Sequence, residues 1–398
     1  MRIVHIITRL ILGGAQENTL LSVEGLMKRS HRVSLVSGPA IGPEGQLVER
    51  AMSHGVDLVL LGSLRRAINP FLDLAAFIFL VRYLKQTRPD VVHTHSSKAG
   101  FLGRLAAKCA SVPIIIHTIH GLPFHPYQNR FINWLYVRVE REAARWSDAL
   151  VSVADAMTRQ AVEAKVAPRE KFVKIFSGME VEDFLKVRDR KALRSRYDFS
   201  CQDIVVGTVG RLFHLKGHED ILRAGPKIVG KFPQVKFLFA GGGILRKRLE
   251  KLAETLGLAG RVTFTGLVEP SSIPEVLQAM DAVVHASLRE GLARVLPQAL
   301  LSGRPVVAYD VDGAREVIQD GKTGFLVPAR DVEKLADAII RVLSDPDTAK
   351  ALATNGREIC RKEFSHEIMV DRLEELYFEI ARRKNLAPGE TWKKEARE

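Results

Sequence analysis

The chain has 398 residues, 46% hydrophobic and 26% charged, which excludes an intrinsically disordered chain and leaves apolar surface for two cores. Lys and Arg number 59 against 46 Asp and Glu, a net charge of +13 that favours anionic partners: phosphorylated metabolites, nucleic acid or an acidic membrane face. The excess is spread through the chain, and no block of like charge reads as a nucleic-acid-binding tail. The cysteines, Cys109, Cys201 and Cys360, are far apart and form no CxxC, which excludes a disulfide framework and points to a reducing compartment. Arg2, His5 and Arg9 interrupt the apolar N-terminus, unlike a signal peptide. The longest apolar run, Leu74–Val81, is far short of the roughly 20 residues a transmembrane helix needs. The expected location is cytoplasmic, with any membrane contact peripheral.

In chain order, Ile3–Thr8, Arg32–Ser37, Val56–Leu61, Val91–Thr94, Pro113–His117 and Ala149–Val153 read as short buried strands. Helical stretches alternate with them near Ala15–Lys28, Phe71–Gln86, Gly100–Cys109, Arg130–Ala144 and Ala156–Glu163. The alternation predicts a parallel sheet covered by helices on both faces. Asp183–Gln202 is polar and charge-rich and reads as the boundary region. Strands resume at Ile204–Val209, Val235–Ala240, Val262–Thr265, Ala282–His285, Pro305–Ala308 and Phe325–Val327, and the text from Val332 to Lys384 is helical. The stretch after Asn385 reads as a frayed tail. Two doubly wound domains would bind ligands in a cleft at the carboxyl ends of their strands.

Gly13-Gly14-Ala15 follows the first strand and opens a helix, so its backbone N–H groups are suited to a phosphate; a plain tight turn is the other reading. It is not GxGxxG, so no dinucleotide fingerprint is present. In the second half, the strand ending at Gly210 runs into Arg211 and then Lys216-Gly217. Two cations just past a strand end suit a diphosphate, Arg as a fork of donors and Lys as a point charge. Gly241-Gly242-Gly243 follows the next strand and reads equally well as a tight turn.

His93, His95, His117, His120 and His125 cluster around two strand ends. Without Cys or HExxH beside them, no metal site is expected. His120 stands past its strand end beside Gly121, suited to hydrogen-bonding a substrate, or held by backbone alone. The densest stretch is Ser287–Gln298. Read as a helix opening at Glu290, it puts Gln298 about 12 Å further along the axis. The N–H groups of Gly291 and Leu292 would then face phosphates, with Glu290 and Gln298 at the two ends of a nucleotide-sugar. A helix-start carboxylate paired with the dipole is the other reading of Glu290.

Taken together, GGA, HTHSSKAG, HTIHG, GR followed by KG, and EGLxxVxxQAL followed by GxPVVA resemble glycosyltransferase family 4, in order and over nearly the whole chain. The resemblance implies an α/β GT-B fold: two doubly wound Rossmann-like domains facing across a cleft, with a C-terminal helix closing the chain. It implies an acceptor-side domain over 1–185, a nucleotide-sugar-binding domain over 186–365, and a C-terminal helix and tail over 366–398. It further implies a retaining transfer of a hexosyl or N-acetylhexosaminyl group from a nucleotide-sugar, expected to be a UDP-sugar. The acceptor would be a glycan or a lipid-linked acceptor in bacterial cell-surface polysaccharide biosynthesis. Arg211 and Lys216 match the family's diphosphate binders, Glu290 the first carboxylate of its E-x7-E motif, and His120 the histidine near the sugar's reacting face. Gln298 departs from the motif's second Glu: its carbonyl still accepts from a ribose hydroxyl, without charge.

The expected catalytic residues are therefore His120, Glu290, Arg211 and Lys216. The expected donor-binding residues are Gly13, Gly14, Gly210, Arg211, Lys216, Glu290, Gly291, Leu292 and Gln298. No cofactor and no metal is expected, the nucleotide-sugar being a substrate. Arg130, Arg138, Arg141 and Arg145, with Phe131, Trp134 and Leu135, give a basic aromatic helix suited to an anionic membrane face, or to packing on the sheet with solvated arginines. No nucleic-acid partner is expected. A GT-B-fold nucleotide-sugar epimerase is the main alternative. A pyridoxal-dependent phosphorylase fits poorly, the chain being much shorter than that family.

Overall fold

The computed structural model describes residues 1–41 and 45–386 and divides into two compact units. The first comprises Met1–Met179 and the segment from His366 onward; the second is Glu180–Ser365.

The first unit carries seven parallel strands: β1 (Arg2–Ile7), β2 (Arg32–Ser37), β3 (Asp57–Leu60), β4 (Val91–His95), β5 (Ile114–Ile119), β6 (Ala149–Ser152) and β7 (Phe172–Lys174). Their order is β3-β2-β1-β4-β5-β6-β7. Helices cover both faces, so central strands are buried on both sides and read as unbroken apolar runs such as Ile114–Ile116. The order reverses between β1 and β4, which pair in parallel from Ile3 with Val91 to Ile6 with Thr94. Their carboxyl ends flank the crevice in which such sheets bind ligands.

The second unit carries six parallel strands: β8 (Ile204–Val209), β9 (Val235–Ala240), β10 (Val262–Gly266), β11 (Ala282–His285), β12 (Val306–Tyr309) and β13 (Phe325–Val327). The order is β10-β9-β8-β11-β12-β13, with its switch point between β8 and β11. One core cluster gathers Phe237, Phe239, Leu249, Tyr309 and Ile339.

The division falls at Met179/Glu180, ahead of the expected 185/186, and the polar boundary segment folds into two short helices of the second unit, Val181–Leu185 and Arg190–Ser195. The final helix, His366–Arg383, is no separate closing element. Its Met369, Val370, Leu373, Leu376, Tyr377 and Ile380 are buried in the core of the first unit. It crosses helix Gly14–Lys28 where Gly25 stands; a Cβ there would lie 2.4 Å from Val370 Cγ2, so glycine admits the close approach. Glu374 completes the contact, 2.7 Å from both Arg29 and His31. The expected tail lies, from residue 387 on, outside the described residues. No helix among the described residues is long and apolar enough to cross a membrane.

Candidate active site

In the second unit, three loops meet past the carboxyl ends of β8, β9 and β11. The loop after β8 carries Gly210, Arg211 and Lys216. Gly241 holds it from the β9 side: with φ 143° it runs so close that a Cβ would sit 2.1 Å from the Gly210 carbonyl. The N–H of Leu212 donates to the Gly242 carbonyl at 2.9 Å. The glycine triplet is thus a backbone clamp on the Arg211 loop. Gly217, at φ 71°, closes the loop against β11, where a Cβ would lie 1.8 Å from the Ala286 carbonyl. Leu215 reinforces this junction, its carbonyl accepting from Leu288 N–H (2.8 Å) and Ser287 Oγ (3.0 Å).

This docking brings Lys216 Nζ to 2.5 Å from Glu290 Oε1, with His285 Nε2 3.3 Å from the same oxygen. Burial by itself pushes the Glu290 carboxyl up, but Lys216 and His285 outweigh it and hold the group well below the usual carboxylate range. Glu290 is ionised at neutral pH. Its own backbone N–H donates to the Asp312 carboxylate at 2.6 Å. Arg211 is exposed at the mouth of the loop, its guanidinium 5.2 Å from the ring centre of Phe213.

The stretch Ser287–Arg294 is not helical. The helix begins at Val295 and ends at Leu301, so Glu290 sits in a loop five residues before it and the expected 12 Å axial span does not apply. A Ser287 Oγ hydrogen bond to the Arg289 carbonyl (3.1 Å) and the Asp312 carboxylate shape the loop instead. Gly291 and Leu292 are buried, and among the described residues no acceptor takes up their N–H groups. Gln298 lies half-buried on the helix, its side-chain amide without a partner among the described residues. Gly210, Arg211, Lys216, Glu290, Gly291, Leu292 and Gln298 thus all belong to the second unit.

Gly13, Gly14 and His120 belong to the first unit. Gly13 precedes helix Gly14–Lys28 and its carbonyl accepts the Glu17 N–H at 2.9 Å. His120 follows β5 and lines a cavity of about 250 Å3, together with Ala15, Ser96, Gly121 and Glu140. Its Nε2 lies 3.1 Å from His95 Nδ1, and His95 Nε2 lies 2.9 Å from His5 Nδ1. Three imidazoles therefore run in a hydrogen-bonded row from the sheet interior to the cavity. Burial depresses the pKa of His5 to about 3 and holds His93, His95 and His117 well below theirs, so these four are neutral.

The ring nitrogens of His5, His93 and His95 come within 4.8 Å of one another, a grouping with the reach of a metal site. His93, however, is occupied by the Tyr377 hydroxyl (2.6 Å) and Thr118 Oγ1 (2.7 Å). No carboxylate joins the group among the described residues, so a divalent cation would be buried without counter-charge.

Two comparisons bear on the family. The model described as "Glycosyl transferase 4-like domain" matches residues 13–175, and "Glycosyl transferases group 1" matches 189–359. The chain is a GT-B glycosyltransferase of the family 4 type. This glycosyltransferase is 26% identical over 387 residues to the UDP-Gal:alpha-D-GlcNAc-diphosphoundecaprenol alpha-1,3-galactosyltransferase of Escherichia coli, covering 96% of this chain and 97% of that one. It is 28% identical over 368 residues to the alpha-D-kanosaminyltransferase of Streptomyces kanamyceticus, covering 88% and 95%. In fold it matches Anabaena Alr3699/HepE, solved with UDP and glucose, at TM-score 0.82 and 21% identity over 94% of this chain and 99% of that one.

Sequence reasoning missed His285 and Asp312 in the glycosyltransferase's second unit, and His5 and Tyr377 in its first. His285 had a signal, ending a strand one residue before a small-residue turn. Asp312 and Tyr377 reach their partners from distant chain positions, which spacing does not reveal.

Proposed function

We propose that the enzyme is a retaining transferase that moves a hexosyl or N-acetylhexosaminyl group from a UDP-sugar to a lipid-linked or glycan acceptor in cell-surface polysaccharide biosynthesis. The observation that carries this reading is the Lys216–Glu290–His285 cluster beside the unpaired amides of Gly291 and Leu292. A diphosphate needs cations and N–H donors aimed where charge develops as the glycosidic bond breaks, and Arg211, Lys216 and these amides supply both. Lys216 would then be shared between Glu290 and the leaving phosphate. Glu290 orients the sugar ring and offsets positive character at the anomeric carbon. Gln298 accepts from the ribose hydroxyls.

The neighbouring carboxylate, Asp312, is taken up by the Glu290 N–H, so no covalent nucleophile is assigned among the described residues. Retention then follows a front-face path: the acceptor oxygen bonds to the anomeric carbon on the side the phosphate leaves, and the leaving phosphate oxygen takes the acceptor proton. With protein cations in this role, turnover needs no divalent metal. UDP as the nucleotide is supported by the UDP-galactose donor named for the Escherichia coli relative and by the UDP bound to Anabaena Alr3699/HepE.

The first unit supports peripheral contact with an anionic membrane carrying the acceptor. Helix Arg130–Arg145 leaves Phe131 70% and Trp134 52% exposed beside Arg130 and Arg138, and helix Pro70–Thr87 leaves Phe71, Leu74 and Ile78 exposed. Large apolar side chains flanked by arginines suit a headgroup boundary. Arg141 does not contribute, since it donates to the carbonyls of Ala164 and Lys165.

The test is incubation with UDP-galactose, UDP-glucose or UDP-N-acetylglucosamine and a diphospholipid-linked sugar, with and without EDTA. Released UDP and a product of α-anomeric configuration, both unaffected by EDTA, are expected. An epimerised UDP-sugar without UDP release would identify an epimerase instead, and rescue by magnesium after EDTA would overturn the metal-free path.

A further inference from the structure

The site above lies past the carboxyl ends of the second sheet. A second cavity, of about 590 Å3, lies at the opposite ends of the same strands. Its lining includes Ile204, which opens β8, Asp281, just ahead of β11, and Pro305, just ahead of β12. This volume suits a small phosphorylated molecule.

Its charges do not balance. Asp281 is the acid of the lining, and both its oxygens are already taken, one by Arg190 and the other by Arg194 and the Val205 N–H. Arg304 makes no ion pair among the described residues, Asp281 acting on it only at a distance. Its Nη1 donates to the Met280 carbonyl at 3.2 Å, and its buried Nε has no partner. Burial and the neighbouring Arg190 depress its pKa to about 10. Ser302, 6% exposed, leaves its Oγ unpartnered, and Arg190 leaves its Nε unpartnered. Helix Pro346–Glu363 adds Lys350, without an ion-pair partner among the described residues, and Arg357, whose Nη2 donates only to the Leu185 carbonyl at 2.9 Å.

Buried polar groups without partners cost stability. Guanidinium forks and an ammonium, converging on a lining whose one acid is already paired, are a donor set that phosphate oxygens satisfy. We propose that this cavity is a second anion site, taking a phosphate or diphosphate group, at the end of the sheet opposite the sugar-transfer site.

The test is calorimetric titration of the full chain with inorganic pyrophosphate in the presence of saturating UDP. The expected result is one further binding event, unchanged in Lys216→Ala and weakened at least fivefold in both Arg304→Gln and Lys350→Glu. Lys350 is exposed and unpaired, so its variant keeps the fold and decides the matter if Arg304→Gln does not, with thermal melting as the check. Pyrophosphate binding assigns a soluble ligand. Binding of phosphatidylglycerol vesicles alone, lost in Lys350→Glu, assigns a lipid headgroup of the same chemistry. The proposal fails if UDP abolishes pyrophosphate binding, if Lys216→Ala does, if Lys350→Glu binds like wild type, or if neither probe binds.

Discussion

Lys216 Nζ sits 2.5 Å from Glu290 Oε1, a contact made by two loops that no regular hydrogen-bond ladder joins. Burial raises the carboxyl, and Lys216, first among the opposing groups, lowers it below the usual range. A depressed carboxylate is charged, and its contribution to stability is present, above the ordinary value near 4.5, and is lost only in stronger acid. Wild-type kcat/KM therefore has no acid limb from Glu290 between pH 8 and pH 5. In Lys216→Ala the burial effect is no longer offset by the lysine, the carboxyl rises, and the acid limb moves up toward neutrality. The same variant, and Arg211→Ala, cost about 2–4 kcal/mol of transition-state stabilisation, the scale of losing an anion-stabilising donor. A pH–rate profile of Lys216→Ala that overlays the wild type would remove the pair from the chemistry.

Gln298 and Glu290 divide the donor between them. Gln298→Glu should keep kcat and tighten donor KM by roughly 1 kcal/mol through a charge-assisted hydrogen bond to ribose. Glu290→Gln removes charge beside the anomeric centre, so kcat falls much further than donor affinity. Steady-state kinetics on both variants checks this. Collapse of kcat in Gln298→Glu with an intact Glu290→Gln would reverse the assignment.

Much of this was legible beforehand, and the exceptions have causes. Strands such as Val235–Ala240 and Ala282–His285 were readable to the residue, because strands buried on both faces have abrupt apolar edges. Phe172–Lys174 escaped, being three residues long on a sheet edge with Lys at its end. The helix start at Glu290 was misread because GLARVLPQAL is apolar and helix-compatible throughout. What keeps Ser287–Arg294 irregular is the carboxylate of Asp312, more than twenty residues downstream. Likewise, the apolar stripe of His366–Arg383 announces that the helix packs, while its partner depends on a single glycine in helix Gly14–Lys28.

Acid should loosen the first unit early. His5 is neutral when folded, with a pKa near 3, but protonates near 6.5 when unfolded. Stability is therefore complete above pH 6.5 and declines as pH falls toward 3, by about 2 kcal/mol at pH 5 for His5 alone. His93, His95 and His117 act in the same direction. Melting curves from pH 7.5 to pH 5 should show a falling transition, with a shallower slope in His5→Gln. Equal slopes would mean that His5 does not stay neutral.

Gly25→Val should destabilise despite removing a helix glycine. Ordinary helix propensity offers only a few tenths of a kcal/mol in return. The new side chain meets Val370 far inside contact distance, and overpacking of this kind costs about 1–3 kcal/mol. Limited trypsin digestion should release the segment after Ser365 faster than in wild type. An unchanged digestion pattern and melting temperature would show that the two helices can separate without cost.

The docking of His366–Arg383 also orders events during synthesis. Glu180–Ser365 is one continuous stretch and has all its core residues once Ser365 has emerged from the ribosome. The unit that begins at Met1 lacks Met369, Leu373, Tyr377 and Ile380 until the last part of the chain is made. Its helix Gly14–Lys28 must wait with an uncovered face while more than 330 residues pass. Domains ordinarily fold in the order they are translated; here the half that is translated first is the half that finishes last, and it is exposed to chaperones and proteases for longest.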